Sequence, residues 1–576
     1  MRNQLRDFSL LCVGSIAVWA VMFASLSATA QSSFELGGIA RGVADLGFLG
    51  IEDTVSRDIG VESHAIYDLA LRGSLNSKAE VYVELRLGTN LALFDTSASY
   101  AQVRRVVLSG KLNDRWGYEI GDIDVAWSPF TIWNSESEGA VHESNLFAQW
   151  RNLQNYENFS QSNAWRLRGA QAKGIWTQTG GGVIQSSGFL SRIEASDEIV
   201  RPDVILAGMA TTWAGQRLHM ALRAQDFMSL GRTIPGGQSS HVVGLSGETK
   251  WTQGRWSFQG EIGGSLATTL DEDGVAMTNV PWTKGGFWQV SSETTMLKAW
   301  KVRVASRSVS DTYMSPAAQT KRISFGEMPS VFPVMANGVW SRPLSQGDLL
   351  TAPYLPQGVR PWNRILRRGL MAFDPRYGTA TPYGVATPNR RGLELELERG
   401  SQEQPWALKL GGAFLQDLTP EGSVNRRNYI CGHVSGHMDL SKCWEGTRAV
   451  VLSGGWRSQH AQRPEALLNP VDLTSMVLDA GLDWSITSSV QVGYGMKRVS
   501  AEGLDYTAVR DANYIVTGFD MASLNLRDQM HAWGMTWSLG EHTEASFQWQ
   551  RWSLIDNLQG HAGTLSHALF LFQTKF

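Results

Sequence analysis

The residues with the clearest chemical potential lie in one proline-rich segment, Lys321–Arg391. This basic segment holds ten Lys or Arg against three Asp or Glu, and nine of the chain's 18 prolines. Arginine binds carboxylate and phosphate groups through paired hydrogen bonds, and neighbouring aromatic rings add a stacking surface. The segment supplies both kinds of side chain: Arg360, Arg364, Arg367, Arg368 and Arg376, with Tyr354, Trp362, Phe373 and Tyr377.

The stretch that follows, "RGLELELERG", indicates the kind of element that positions such a segment. Side chains on a β-strand alternate between two faces, so this strand has one apolar face and one acidic face. The apolar face carries Leu393, Leu395 and Leu397, and the acidic face carries Glu394, Glu396 and Glu398. A soluble sandwich with its leucines in the core fits this pattern. A membrane barrel with leucines toward lipid and glutamates toward a wet lumen fits it equally well.

The same alternation recurs along the whole chain. "AEVYVELRLG" sets four valines and leucines against Glu80 and Glu84, and "RWSFQGEIG", "WKVRV" and "TEASFQWQRW" behave likewise. We count 22 candidate strands, beginning near residues 34, 65, 79, 100, 115, 163, 182, 203, 217, 240, 254, 285, 298, 391, 405, 428, 447, 473, 489, 530, 544 and 566. The polar faces hold charges of both signs, which favours a lumen or solvent over a packed interior.

The connections sort into two kinds. Those after even-numbered strands are short, and the long ones follow odd-numbered strands, notably near 123–162, 309–390 and 500–529. This is the arrangement of a transmembrane antiparallel β-barrel with short periplasmic turns and long extracellular loops. We therefore predict an all-β barrel of about 22 strands, with 18 or 20 as alternatives. A soluble sandwich or propeller is less favoured because the sequence shows no internal repeat.

The N-terminus has the features of an export signal. Arg2 and Arg6 precede an apolar run from Leu10 to Leu26, and small residues at Ala28 and Ala30 suit a signal peptidase. We predict a signal peptide at 1–30 and a single barrel domain at 31–576, with an uncleaved anchor as the alternative. The sequence has no second apolar run long enough for a membrane helix.

Composition and the C-terminus support the barrel. The chain contains 23 Trp and 59 Gly with only 18% charged residues, and it ends in "HALFLFQTKF" with a terminal Phe576. This ending resembles the last strand of Gram-negative outer-membrane β-barrels, whose terminal aromatic residue is recognised by the barrel-assembly machinery. The resemblance implies an outer-membrane location. A TonB-type plug is not expected, because the first strand begins directly after the signal peptide.

Two smaller features carry further expectations. Leu146, Phe147, Trp150 and Leu153 recur at helical spacing inside the long connection near 123–162, which predicts a short amphipathic helix on the rim or in the mouth. Cys431 and Cys443 are the cysteines of the mature chain, and an oxidising compartment favours a disulfide between them. A strand at Cys431 argues against it, because extended residues separate the two by too great a distance.

The basic segment has two interpretations. It could fold into the barrel mouth as a constriction, with its arginines facing lumen carboxylates such as Glu394 and Glu396. It could instead form an external lid whose arginines bind lipopolysaccharide phosphates or pair locally. Proline this dense excludes a long helix or strand. Its aromatic content argues against disorder.

Function follows these two interpretations. Our first hypothesis is an outer-membrane channel or exporter for polar, anionic solutes or polysaccharide, narrowed by the basic segment. The second is a non-conducting barrel that serves as a surface scaffold for secretion, adhesion or motility machinery. No hydrolase, zinc-protease or phosphate-loop motif is present, so we expect no enzyme. We also expect no metal, no cofactor and no nucleic-acid partner, with membrane lipids and lipopolysaccharide around the barrel.

Overall fold

The computed structural model describes most of the predicted mature chain. The described residues are 33–51, 58–90, 100–134, 142–157, 163–178, 181–194, 203–230, 239–253, 255–270, 282–296, 299–319, 379–401, 403–420, 424–443, 448–465, 470–510, 516–558 and 560–576. Every structural statement below concerns these residues.

The alternating segments form 22 strands. The first eleven are β1 Phe34–Ile51, β2 Asp58–Asn76, β3 Ala79–Asn90, β4 Tyr100–Lys111, β5 Trp116–Val125, β6 Trp165–Thr177, β7 Val183–Glu194, β8 Asp203–Ala214, β9 Leu218–Leu230, β10 Ser239–Gln253 and β11 Trp256–Leu270. The others are β12 Thr283–Met296, β13 Trp300–Val309, β14 Arg390–Arg399, β15 Trp406–Gln416, β16 Asn428–Asp439, β17 Val450–Arg463, β18 Val471–Ser485, β19 Val490–Arg510, β20 Val516–Ser538, β21 Thr543–Asp556 and β22 His561–Lys575. One helix, α1 Asn145–Glu157, and one 3-10 helix, Leu440–Cys443, accompany them.

The sheet closes on itself. Each strand pairs antiparallel with its neighbours in sequence, and β1 pairs with β22 through Ile39↔Lys575 to Ile51↔Gly563. The last residue completes this seam, because Gly38 N and Phe576 O lie 2.9 Å apart and Phe576 N lies 3.1 Å from Gly38 O. Closure leaves no strand edge exposed, which a sheet surrounded by lipid requires. The predicted closed barrel is confirmed, including its strand number.

The two faces of the wall differ as the alternation predicts. Outward side chains are apolar and exposed, for example Leu393, Ile262 and Met209 at 60%, 68% and 71%. Tryptophans lie on the same face toward the strand ends, including Trp251, Trp256, Trp484 and Trp537. The opposite face is polar or buried beneath inner segments. An apolar outer band with aromatic rims is the surface that a bilayer solvates.

The connections also follow the predicted sorting, with one correction. The turn between β2 and β3 has two residues, 77–78, whereas the connection between β13 and β14 runs from 310 to 389. The predicted loop at 500–529 is wrong, because β19 continues to Arg510 and β20 begins at Val516. In part of these extensions the alternation is inverted: Asn525 and Arg527 face outward, whereas Leu524 and Leu526 pack inward. No described helix is both long and apolar enough to cross a membrane.

Candidate functional site: the barrel lumen

Helix α1 lies inside the barrel against the inner faces of β19 to β22 and β1. Its apolar residues Leu146, Phe147, Trp150 and Leu153 are buried in one cluster with Val43, Met530, Ala532, Leu569 and Leu571. Glycines in the wall let the helix approach. A Cβ at Gly495 would lie 2.7 Å from the Phe147 ring, and one at Gly534 would lie 2.5 Å from Leu146. The predicted amphipathic helix is confirmed, and its apolar face packs onto this glycine surface.

Polar contacts fix the first turns of α1. Trp150 Nε1 donates to Gln548 Oε1 at 2.6 Å, and the backbone N of Asn145 donates to Asp483 Oδ2 at 3.1 Å. Just before the helix, Glu143 accepts from Lys497 Nζ at 3.1 Å. Each of these contacts joins the 126–164 connection to a strand more than 330 residues away in sequence.

The last turn of α1 is held by a buried ionic network on β2, β3 and β4. The Tyr156 hydroxyl donates to Asp68 at 2.6 Å, and Arg86 binds the same carboxylate through two bonds of 2.6 Å. Arg104 bridges Asp68 and Glu84 at 2.9 and 2.8 Å and donates to the Tyr156 carbonyl. Burial raises the pKa of Tyr156 above its ordinary value. Glu84, predicted as part of an acidic lumen wall, is therefore neutralised by arginine.

A second inner layer covers the lumen face of β5 to β13. It consists of three inner segments, 126–134, 310–319 and 379–389. Met314 and Ala317 pack against Phe189, Leu206 and Phe227. These three residues face inward, because their neighbours Leu190, Met209 and Leu222 are exposed on the outer face.

Hydrogen bonds join the inner segments to each other and to the wall. The Tyr313 hydroxyl donates to Phe130 O at 2.6 Å, and Trp133 N donates to Ala317 O at 2.9 Å. The Ser128 hydroxyl donates to Glu261 on β11 at 2.6 Å. These residues are part of the barrel's interior and not of an external loop.

The described residues on either side of 320–378 belong to this inner layer. Gln319 is almost fully buried, and its Nε2 donates to Ala386 O at 2.9 Å across the segment. On the return side, Arg390 donates to Thr379 O, Ala380 O and the Asp417 carboxylate, and its guanidinium lies 4.3 Å from the centre of the Tyr429 ring.

The predicted glutamate wall is a cross-strand ladder of opposite charges. Glu394 binds Arg307 at 2.8 Å. Glu396 binds Lys409 and lies 3.9 Å from Arg303. From β12 to β17 the lumen face carries Lys301, Arg303, Arg307, Lys409 and Arg457 against Glu293, Glu394, Glu396 and Glu398. Sequence reasoning predicted the acids but assigned their partners to the basic segment, whereas the described partners are cations on neighbouring strands.

An apolar outer band, a charged inner face and a closed ladder together define the class of the molecule. The fold is that of a transmembrane β-barrel.

The remaining predicted residues have different outcomes. The arginines 360, 364, 367, 368 and 376 and the aromatics Tyr354, Trp362, Phe373 and Tyr377 lie outside the described residues. Glu80 is exposed at the periplasmic end of β3, in a pocket it shares with Lys111, Glu119 and Lys173.

The predicted disulfide is not formed, because Cys431 is a free thiol. It lies inside β16, while Cys443 ends the 3-10 helix. Eight extended residues from Cys431 to the end of β16 span about 26 Å, several times the Cα separation that a disulfide allows.

Two histidines meet where the chain enters α1. The Nδ1 atoms of His142 and His437 lie 3.0 Å apart, and His437 Nε2 lies 3.1 Å from Gln404 O. Burial, together with His437 and Lys409, lowers the pKa of His142. Within the described part of the chain, no three His, Cys, Asp or Glu side chains group together as a metal site.

Known structures of similar architecture are bacterial barrels. No protein-family model and no curated protein matches the chain. The solved structures include Pseudomonas aeruginosa OccK11 at 8% identity and TM-score 0.33, covering 94% of this chain and 96% of that one. OccK2 of the same organism, solved with glucuronate, has 9% identity and TM-score 0.33, covering 94% and 98%. A BenF-like porin from Pseudomonas fluorescens Pf-5 has 9% identity and TM-score 0.35, covering 79% and 99%. Scores this low carry no argument about what this barrel transports.

Proposed function

We propose that this barrel is an outer-membrane channel for polar, anionic solutes or charged polysaccharide, narrowed by the basic segment Lys321–Arg391. One observation carries the proposal most directly: Gln319, which precedes the segment, and Thr379, which lies within it, are both buried in the inner layer. With both of these residues inside the barrel, the proposal is that the Lys and Arg between them reach the solute path.

The composition of the segment supports an anionic solute, because it holds ten Lys or Arg against three Asp or Glu. Arginines in excess over acids attract anions and bind carboxylate or phosphate through paired hydrogen bonds. This proposal assigns no catalytic step to the protein.

The test is single-channel recording of the refolded mature chain in a planar bilayer. One variant replaces residues 325–372 with a short Gly/Ser linker and keeps Gln319 and Thr379, so that both anchors of the segment remain. A second variant changes the arginines at 360, 364, 367, 368 and 376 to glutamine. We expect the deletion to raise conductance and the neutralised variant to shift the reversal potential away from anion selectivity in a salt gradient.

A matched control neutralises five cations at the turns, Lys78, Arg115, Arg217, Arg255 and Lys442, and should leave selectivity unchanged. Unchanged selectivity in the segment variant, with normal folding, would refute the role of these arginines. Failure of the deletion to raise conductance would refute the constriction.

The packed interior favours a second candidate, the non-conducting surface scaffold for secretion, adhesion or motility machinery. Helix α1 and the three inner segments already bury much of the lumen face. The same recordings separate the two functions. Absence of conductance from both the wild type and the deletion variant, despite correct folding, would leave the scaffold.

A further inference from the structure

Three arginines are grouped on the outward face of β19, β20 and β21. Arg498 pairs in register with Gln529, Arg527 with Ser500, and Arg551 with His531. All three therefore lie beside Gln529 or at a diagonal position to it, about 5–8 Å between Cβ atoms. We call Arg498, Arg527 and Arg551 the arginine patch.

The direction of these side chains follows from their neighbours. On the same face of the same strands, Trp533, Met535 and Trp549 are exposed. The opposite face of β19 carries Lys497 and Ala501, which are buried, and Lys497 binds Glu143 just before α1. The arginine patch therefore points away from the lumen, toward whatever surrounds the barrel.

The patch spans the upper part of the apolar band, with Arg527 at the extracellular edge. Trp537 marks the periplasmic end of the outward face of β20, six residues from His531 and ten from Arg527. At about 3.3 Å per residue and a tilt near 40°, the patch lies about 15–25 Å above Trp537. The apolar band of such barrels is about 25 Å tall. An aromatic row lies directly below the patch, on its periplasmic side, and consists of Tyr494, Trp533 and Trp549.

Among the described residues, no acid pairs with the patch. None of the three arginines has an ion pair or hydrogen bond within the described residues, and Arg498 Nε is buried without a partner. Glu502, the nearest acid on this face by register, lies further toward the extracellular end and makes no ion pair with them. Elsewhere the wall pairs its buried arginines, as Arg86 and Arg104 show.

We propose that the arginine patch is a binding site for the phosphate groups of lipopolysaccharide. Charge on the lipid face is costly near the midplane and tolerable at the interface, where Arg527 lies and toward which the long side chains of Arg498 and Arg551 can extend. Guanidinium groups bind phosphate through paired hydrogen bonds. The outer leaflet presents lipid A phosphates at the extracellular edge of the band, and its acyl chains would cover the aromatic row below the patch. His531, whose ring nitrogens lie 2.7 Å from the Tyr494 hydroxyl and 2.8 Å from the Gln529 amide, adds a polar group to the centre of the site.

The test measures binding of Kdo2–lipid A to the refolded mature chain in detergent by native mass spectrometry. The variant is R498Q/R527Q/R551Q. The matched control, K78Q/R115Q/R399Q, removes the same charge at the periplasmic end. We expect the wild type and the control to bind equally, and the patch variant to bind at least tenfold more weakly. Lipid A from which both phosphates are removed should bind the wild type at least tenfold more weakly as well.

Equal binding by the patch variant, or equal binding of the dephosphorylated lipid, would overturn the site. A changed oligomeric state of the patch variant with unchanged lipid binding would identify a contact between barrels, which also overturns it. Heat-modifiable migration on a gel verifies folding. Single changes at the exposed residues Arg527 and Arg551 provide the test if the triple variant does not fold. Channel conductance should be unaffected, so failure here is distinguishable from failure of the proposed channel.

Discussion

Replacing Phe147 with alanine should release α1 from the lumen wall without unfolding the barrel. The Phe147 ring is fully buried, fits the gap left by Gly495, and lies 4.8 Å from Lys497 Nζ. Truncating a buried phenylalanine costs about 3–5 kcal/mol. The barrel strands keep their ladders, so the loss falls on the docking of the helix. At about 1.4 kcal/mol per tenfold change, the undocked population should rise roughly a hundredfold to several thousandfold.

Two measurements check this. Limited proteolysis with mass spectrometry should show faster cleavage within Asn145–Glu157, and single-channel conductance should rise as the helix leaves the bore. Asn152→Ala is the control, because Asn152 lies on the same helix but is exposed. A Phe147→Ala protein with wild-type cleavage and wild-type conductance would refute the inference that this packing holds the helix.

Three further changes test the surrounding structure. Tyr156→Phe removes a hydroxyl that donates to a buried carboxylate at 2.6 Å and should destabilise α1 docking by about 1.5–3 kcal/mol, measured by the same proteolysis. Gly121→Ala places a Cβ 2.1 Å from a backbone carbonyl at a φ of 110°, so it should lower the yield of heat-modifiable barrel, whereas Gly42→Ala, with nothing within 4 Å, should not. The lowered pKa of His142 means that protonation opposes its buried contact. Docking should be strongest above about pH 6.5 and weaken as the pH falls below it, and His142→Asn should remove this dependence.

The strands could be predicted from sequence because each face of the barrel wall has a single kind of surroundings. Lipid on one side and a wet or charged lumen on the other give a period of two, visible in segments such as "RGLELELERG". The same reasoning fails at 500–529, where Asn525 and Arg527 face outward and Leu524 and Leu526 pack inward, the reverse of the pattern in β14. For the cysteines, the oxidising compartment favoured a disulfide and a strand at Cys431 argued against it. The structure has the strand, and Cys431 is free.

The lumen could be predicted only in part. The helical spacing of Leu146, Phe147, Trp150 and Leu153 identifies α1, but Gly495 and Gly534, which make room for it, lie hundreds of residues away. Glu394 and Arg307 are partners in the ladder although 86 residues separate them in sequence, because the whole basic segment lies between their strands. Register across such an insertion is set by the closed sheet and not by any local pattern.

Barrel size bears on the selective role that we propose for the basic segment. Twenty-two strands spaced about 4.8 Å apart and tilted near 40° enclose a cylinder about 44 Å across. With side chains extending about 5 Å inward, the centre lies about 15 Å or more from the wall charges, roughly two Debye lengths at physiological salt. The wall ladder therefore acts on solutes only locally. Selection of ions that pass along the barrel axis needs charged groups near the axis. The basic segment would supply them if it extends into the lumen. Neutralising its five arginines should accordingly shift the reversal potential much more than Arg303→Gln on the wall, and equal shifts would assign selectivity to the wall instead.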